Sequence, residues 1–368
     1  MTRPKVLVIA SLGSPPYVGG IENVVDTLLQ SGLREKYEFH VFDTYRVADP
    51  NRTGLEKASF ARSLLLTCRA RVREIRPEIV HIHFCSRSDF WKHAICLMVA
   101  RQAGSRTIFH LHGGAFDAFY QAMSSWQKAL TRLIFNLANR VIALSDFWKE
   151  FLSQLVPADR IRVLNNPIDC ARLSPRPRAT DPENPTILLL GSLGRRKGHY
   201  DLLKALPAVV ARHPNVKVLL AGADEDHGAG EELRGLAQEA GLADHVEFLG
   251  PISFEPKVER LRTSTIMVLP SHGENMPISV LEGMAARVPV VSTRVGAIPE
   301  VLDEGNAGLL IEPGDWEALA ESINRLLDDP VLAERIGEAG GQRARELWDV
   351  KRIAERVDEL YQELLAAS

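Results

Sequence analysis

Residues 270–286 read P-S-H-G-E-N-M-P-I-S-V-L-E-G-M-A-A, and the fold turns on how they are read. The apolar run 266–269 before them predicts a short buried strand and the polar run 271–275 a loop. Pro277 falls where a first helical turn tolerates a residue without an N–H. Met276, Val280, Leu281 and Met284 supply the apolar face of the helix that follows. A strand feeding a helix through a tight loop is the unit from which α/β sheets are built. Glu274 stays in the loop, and Glu282 lies about one turn into the helix. A helix N-terminus offers free N–H groups and partial positive charge, which suit an anion such as phosphate. Carboxylates beside it suit hydroxyls. Phosphate together with hydroxyls points to a sugar nucleotide.

Outward from this stretch, the same alternation repeats. Strands are predicted at 186–190, 216–221, 246–249, 266–269, 289–292 and 308–311, with helices between most of them. Upstream, strands at 5–10, 39–42, 79–82, 107–111, 141–144 and 161–164 alternate with helices near 21–30, 89–101 and 124–139 and a short one after Ser145. Between the two series lies A-R-L-S-P-R-P-R-A-T-D-P-E-N-P, rich in proline and poor in apolar residues, which reads as a linker. The expected organisation is α/β, with an N-terminal Rossmann-like domain over 1–170, a linker over 171–185 and a C-terminal Rossmann-like domain over 186–350. Helices near 315–327, 331–347 and 351–366 outnumber the strands left to cover, so the segment 351–368 is expected to return to the first domain.

Composition agrees with two soluble cores: 368 residues, 45% hydrophobic and 25% charged. The apolar run 6–10 is shorter than a signal peptide's and reads as the first strand. No window reaches the roughly 18 apolar residues of a membrane span. Cys68, Cys85, Cys96 and Cys170 show no C-x-x-C spacing, which favours a reducing compartment and hence the cytoplasm. Residues 1–170 carry 22 Lys+Arg against 15 Asp+Glu, a balance of +7, and the remaining 22 against 32 give −10. A basic amphipathic segment near 57–76, with Lys57, Arg62, Arg69, Arg71, Arg73 and Arg76 around Leu64, Leu65 and Leu66, has two readings. It is either a solvated face or a peripheral contact with an anionic membrane surface on its inner face. Nucleic acid is not expected as a partner, because no stacking-aromatic motif accompanies the arginines.

Several residues carry chemistry. In T-I-L-L-L-G-S-L-G-R-R-K-G-H-Y the strand ends at Gly191, and Arg195, Arg196 and Lys197 precede a helix opened by Gly198. This is either a basic surface turn or a cationic phosphate cradle. Its place after the first strand of the second domain, where open α/β sheets bind ligands, favours the cradle. Gly19 and Gly20 lead into the first helix and suit either a tight turn or a close backbone approach to an anion. His81, His83, His110 and His112 lie at strand ends, but no acidic ligand stands beside either pair. No metal is expected. Asp224, Glu225 and Asp226 read as a solvated loop.

The E-x7-E pattern of Glu274 and Glu282 and the Lys197 cradle resemble the retaining glycosyltransferases of the GT-B fold, family 4. So do H-L-H-G-G at 110–114, V-I-A-L-S-D-F-W-K at 141–149 and R-V-L-N-N-P-I-D at 162–169. The likeness covers most of the chain, and its motifs are specific together rather than singly. It implies two Rossmann-like domains facing a cleft, the first binding the acceptor and the second a nucleoside diphosphate sugar, of UDP or GDP type. It also implies no cofactor beyond that donor and a hexosyltransferase reaction without metal. By the same resemblance, Glu282 holds ribose hydroxyls and Glu274 the hydroxyls of the transferred sugar. The backbone at Asn275, Met276, Pro277 and Ile278 holds diphosphate and sugar, Lys197 the diphosphate, and His112 faces the reacting sugar. The implied acceptor is a glycan or a lipid-linked sugar, as in polysaccharide or glycolipid assembly. Two departures stand out. Ser192 replaces the arginine of the usual Gly-Arg-Leu, leaving Arg195 or Arg196 to compensate. Asn275 replaces a common glycine, which Asn's tolerance of left-handed backbone would accommodate.

Three other classes fit less of the chain. A sugar-nucleotide epimerase shares the fold but needs no acceptor. A nucleotide-sugar-binding protein without turnover would be consistent with Ser192. A dinucleotide oxidoreductase lacks G-x-G-x-x-G after the first strand of either half.

Overall fold

The computed structural model describes residues 3–12, 20–45, 53–174, 177–225 and 228–367. They form two compact units, one of residues 1–167 with 350–368, the other of residues 168–349. Strands of the first unit are β1 (Lys5–Ala10), β2 (Glu38–Asp43), β3 (Ile79–Phe84), β4 (Arg106–Leu111), β5 (Arg140–Ala143) and β6 (Ile161–Val163). Those of the second are β7 (Thr186–Leu190), β8 (Lys217–Ala221), β9 (Val246–Gly250), β10 (Ile266–Leu269), β11 (Val290–Thr293) and β12 (Leu309–Ile311). Each set makes one sheet, in the orders β2-β1-β3-β4-β5-β6 and β12-β11-β10-β7-β8-β9. Every pairing is parallel. The near-continuous apolar strands, such as β3 with all six residues buried, follow from helices covering both faces of a parallel sheet.

These orders fix where a ligand can enter. In the second sheet the chain winds outward from β7 through β8 to β9, then returns to β10 and winds the other way. The loops after β7 and β10 therefore diverge at a topological switch point, the crevice that open α/β sheets use for ligands. The stretches singled out from the sequence, 191–198 and 270–277, are those two loops.

The first unit packs a phenylalanine cluster, Phe84, Phe90, Phe109, Phe116 and Phe135, all fully buried; the rings of Phe84 and Phe109 stack 3.8 Å apart. Its last element is the helix Val350–Ala366, which buries Ile353, Val357, Leu360, Tyr361 and Leu364. Asp358 of that helix accepts from Lys36 Nζ at 2.6 Å and from the Tyr37 hydroxyl at 2.7 Å, and Arg162 reaches Glu363 at 2.8 Å. The stretch read as a linker, 171–185, falls within the second unit. There Arg178 donates to the carbonyls of Thr265 and Arg287 at 3.1 and 3.2 Å, and the Ala179 N–H donates to Arg262 O at 3.0 Å.

Candidate functional site

The site of the second unit is built by two glycines pressing on one loop. Gly198 has φ +78°, and a Cβ there would lie 1.9 Å from the Pro270 carbonyl oxygen. Gly296 has φ +54°, and a Cβ there would lie 2.1 Å from the Glu274 carbonyl oxygen. Only glycine meets both demands, so the loop after β10 is gripped between the loops after β7 and β11. Thr293 Oγ1 donates to Ser271 O at 2.6 Å, the Ala297 N–H to Asn275 O at 2.9 Å and the His272 N–H to Arg196 O at 2.8 Å, which closes the grip. The left-handed backbone expected of Asn275 is supplied instead by these facing glycines. The helix then runs Ile278–Ala285, with Pro277 immediately before it rather than inside its first turn. Met276 and Asn275 are buried in the approach to the helix.

Around this loop the charges converge. Glu274 is 6% exposed, and its Oε1 accepts from Lys197 Nζ at 2.6 Å and from Ser271 Oγ at 2.9 Å; Arg196 Nη1 lies 3.7 Å away. Arg196 also donates from Nε to Glu225 Oε1 at 2.5 Å and from Nη1 to Gly273 O at 3.4 Å. Arg195 points elsewhere: its guanidinium sits 4.1 Å from the Tyr200 ring centroid and 3.1 Å from Glu232, and its side chain is 72% exposed. Of the two arginines proposed to replace the one missing at Ser192, Arg196 alone is brought to Glu274. Glu282, 4% exposed, accepts from Lys257 Nζ, which also lies 5.4 Å from the Phe254 ring centroid.

Glu225 corrects the sequence reading of a solvated acidic loop. The Leu193 N–H donates to Ala223 O at 2.7 Å and the Glu225 N–H to Leu193 O at 2.8 Å, so the 223–225 segment lies along the cradle and delivers its carboxylate to Arg196. Asp226 and Gly19 lie outside the described residues. Gly20 opens the helix Gly20–Leu29 and is exposed. Sequence reasoning also missed Lys257, whose helix, Phe254–Thr263, carries no local motif. Nor did it find His272, whose Nε2 lies 2.5 Å from Asp201 Oδ2.

In the first unit, His112 follows β4 and pairs through Nε2 with His83 Nδ1 at 2.9 Å. Parallel register sets His83 against His110, so His81, His83, His110 and His112 occupy neighbouring positions on one face of the sheet. Their rings stack: His81 on His83 at 4.3 Å, His83 on His112 at 5.1 Å. His81 Nδ1 meets the Tyr361 hydroxyl at 2.8 Å, and its Nε2 meets His110 Nδ1 at 3.1 Å. Burial without a carboxylate partner penalises the imidazolium. His81 and His112 are pushed down to about 3, and His83 and His110 fall well below the usual value. One nitrogen from each of His81, His83 and His110 falls within a group whose members lie within 4.8 Å of one another, while His81 Nε2 and Nδ1 are already engaged by His110 and the Tyr361 hydroxyl.

At neutral pH the chain thus holds a carboxylate–cation cradle at a helix N-terminus on one unit and a neutral imidazole stack on the other. Among the described residues, no helix is long and apolar enough to cross a membrane.

Two family models match consecutive segments: "Glycosyltransferase Family 4" over residues 18–172 and "Glycosyl transferases group 1" over residues 172–343. A phosphatidyl-myo-inositol mannosyltransferase of Mycobacterium leprae is 32% identical over 225 residues, 60% of this chain and 58% of the relative. The match therefore spans under two thirds of that relative's length. Among solved structures, sucrose-phosphate synthase from Thermosynechococcus elongatus superposes with a TM-score of 0.81 at 23% identity, over 100% of both chains. Anabaena HepE, solved with UDP-glucose, superposes with a TM-score of 0.77 at 18% identity, over 98% of this chain and 99% of that one. At those identities the likeness is one of fold.

Proposed function

The chain belongs to the group 1, family 4 glycosyltransferases, and on that premise we propose that it moves a sugar from a nucleoside diphosphate sugar to an acceptor hydroxyl. The anomeric configuration is retained and no metal takes part. The observation that carries this reading is the pairing of Lys197 and Arg196 with Glu274 beside the N-terminus of Ile278–Ala285, at the switch point of the second sheet. A departing diphosphate needs positive charge rather than a proton. Lys197, Arg196 and the first-turn amides supply it from fixed positions, which costs no reorganisation as the bond breaks. Glu274 is held by Lys197 and Ser271, an arrangement that suits accepting sugar hydroxyls better than attacking the anomeric carbon. Glu282, one turn further along, is assigned the ribose hydroxyls.

The acceptor's proton goes to the leaving phosphate on the same face, so no protein base is required. His112 keeps the role the resemblance gives it, beside the transferred sugar. Its imidazole is neutral at physiological pH and acts as a hydrogen-bonding group, not as an acid. Donors of UDP and GDP type, an acceptor that is a glycan or a lipid-linked sugar, and work in polysaccharide or glycolipid assembly complete the proposal. The related mannosyltransferase is named for a lipid acceptor, and HepE was solved with a UDP-sugar.

The test is a thermal-shift screen of UDP- and GDP-sugars, followed by donor hydrolysis and acceptor transfer with the best hit. Glu282→Ala should weaken donor binding, while Glu274→Ala should chiefly lower turnover. The reverse pattern would exchange their roles. Binding with neither hydrolysis nor transfer would leave a sugar-nucleotide sensor in place of an enzyme, and isomerisation of the donor without an acceptor would make it an epimerase.

A further inference from the structure

The acidic loop after β8 has no task in the proposed reaction, yet it is packed as part of the cradle. Leu193 and Asp224 pair as an isolated parallel bridge, and a Cβ at Gly222 would lie 2.0 Å from the Gly191 carbonyl oxygen, so the two loops touch along their backbones. A Cβ at Gly194 would stand 3.1 Å from Glu225 Oε2, so glycine there leaves the carboxylate its place beside the turn. From that place Glu225 Oε1 accepts from Arg196 Nε at 2.5 Å. The far end of the same guanidinium faces the donor loop, with Nη1 3.4 Å from Gly273 O and 3.7 Å from Glu274 Oε1. Among the described residues, Nη2 donates to no acceptor. One end of Arg196 is held, and the other is presented with donors to spare.

We propose that Glu225 is a positioning residue: it fixes the Arg196 guanidinium with its Nη atoms toward the phosphate nearest the transferred sugar, and so lets the chain tell a nucleoside diphosphate from a monophosphate. The proposal rests on the reading of the second unit as a donor site. In that reading Glu282 takes the ribose and Glu274 the sugar, so Arg196, beside Glu274, stands at the sugar end of the diphosphate. Arginine carries much rotamer freedom, and freezing it only when the donor arrives costs affinity. A carboxylate on Nε removes that freedom beforehand. The Arg196 and Glu225 side chains are 41% and 27% exposed, so their pairing adds little to folding stability, and its consequence is direction. Charge alone works the opposite way, because a carboxylate beside an anion site repels the anion. The two effects are therefore separable by removing the charge while keeping the hydrogen-bond acceptor.

Calorimetric titration of the full chain with UDP, GDP and the matching monophosphates tests it. Glu225→Gln keeps an acceptor for Arg196 Nε without the charge, whereas Glu225→Ala keeps neither. With whichever diphosphate the unaltered chain binds, Glu225→Ala should bind about fivefold more weakly than Glu225→Gln, the scale of ordering one long side chain. Both variants should bind the monophosphate alike, since its phosphate is the one next to the ribose. In an Arg196→Ala background the gap between Gln and Ala at position 225 should vanish, and melting temperatures should agree throughout. Equal diphosphate affinities in Glu225→Gln and Glu225→Ala would reduce Glu225 to a charge and overturn the inference. A gap that survives in Arg196→Ala overturns it as well. So does a Glu225→Ala variant that melts lower and loses diphosphate and monophosphate equally, the mark of a merely structural loop. Each of these results leaves the donor site standing. Failure of the unaltered chain to bind either diphosphate overturns the donor site itself, and the role of Glu225 with it.

Discussion

The cradle of the second unit and the imidazole stack of the first both stand at the carboxyl ends of parallel strands, yet they solve the burial of titratable groups in opposite ways. Glu274 and Glu282 are 6% and 4% exposed, and each has a lysine ammonium on its Oε1, from Lys197 and Lys257. Each carboxylate is buried against a cation. His81, His83 and His110 are each 1% exposed with no carboxylate partner, and they remain buried by giving up the proton. A site that must answer a diphosphate needs ions in place beforehand. A stack that holds its contacts through ring nitrogens and the Tyr361 hydroxyl works with neutral rings.

The difference can be broken most directly at Lys197. Lys197→Ala removes the nearest cation from Glu274 and, on the proposed chemistry, from the leaving diphosphate. Turnover should fall about 10²–10³-fold, the scale of losing one preorganised donor, read as kcat at saturating donor. A loss below tenfold would move the catalytic charge to Arg196. Next comes Lys257→Ala, which leaves the Glu282 carboxylate buried without its ammonium. Thermal or urea unfolding should show a stability loss of about 3 kcal/mol, and donor affinity should drop with it. Unchanged stability would mean that water reaches Glu282 freely.

On the first unit the comparison is sharpened by pH. The folded-state pKa of His81 and His112 is pushed down to about 3, whereas an unfolded histidine titrates near 6.5. Above about pH 6.5 both states are neutral and no penalty exists. Between 6.5 and 3 the unfolded chain binds protons that the folded stack refuses, so stability falls as pH falls. Urea unfolding of the first unit at pH 7.5, 6 and 5 should show that loss, at about 1.4 kcal/mol per pH unit for each histidine still neutral in the fold. A flat profile would mean the rings accept protons in place. The smallest effect belongs to Arg195. Its partners are Glu232 and Tyr200 on an exposed surface, so Arg195→Ala should leave turnover unchanged and stability within about 0.5 kcal/mol. Arg196→Ala should lower turnover by roughly tenfold or more.

Legibility followed the range of the interaction. The strands of both sheets showed themselves as short apolar runs between turn residues, and each lies within a residue or two of its expected place. Glu274 and Lys197 were visible because each sits in a loop whose neighbours announce a strand end and a helix start. Lys257 and Glu225 were not visible. Their helix and loop have no signature of their own, and they reach Glu282 and Arg196 only because the sheet order lays those segments side by side. The four histidines could be counted but not placed, since alternation assigns residues to faces within a strand while only the register between β3 and β4 stacks the rings.

By itself, then, the amino-acid sequence determined the alternation of strand and helix, the two-part organisation and the charged, glycine-bearing character of the loops after β7 and β10. All of these are written in residue types at short spacing: apolar runs, glycines, and acids or cations at a helix mouth. The tertiary structure alone decided which polar groups pair. Lys257 and Glu282 lie 25 residues apart and His81 and Tyr361 lie 280 apart, and no local pattern encodes such pairings. Residues 270–286 showed that Glu274 and Glu282 stand at a helix start. Packing around Gly198 and Gly296 fixed the loop between them, and with it which cations those two carboxylates keep.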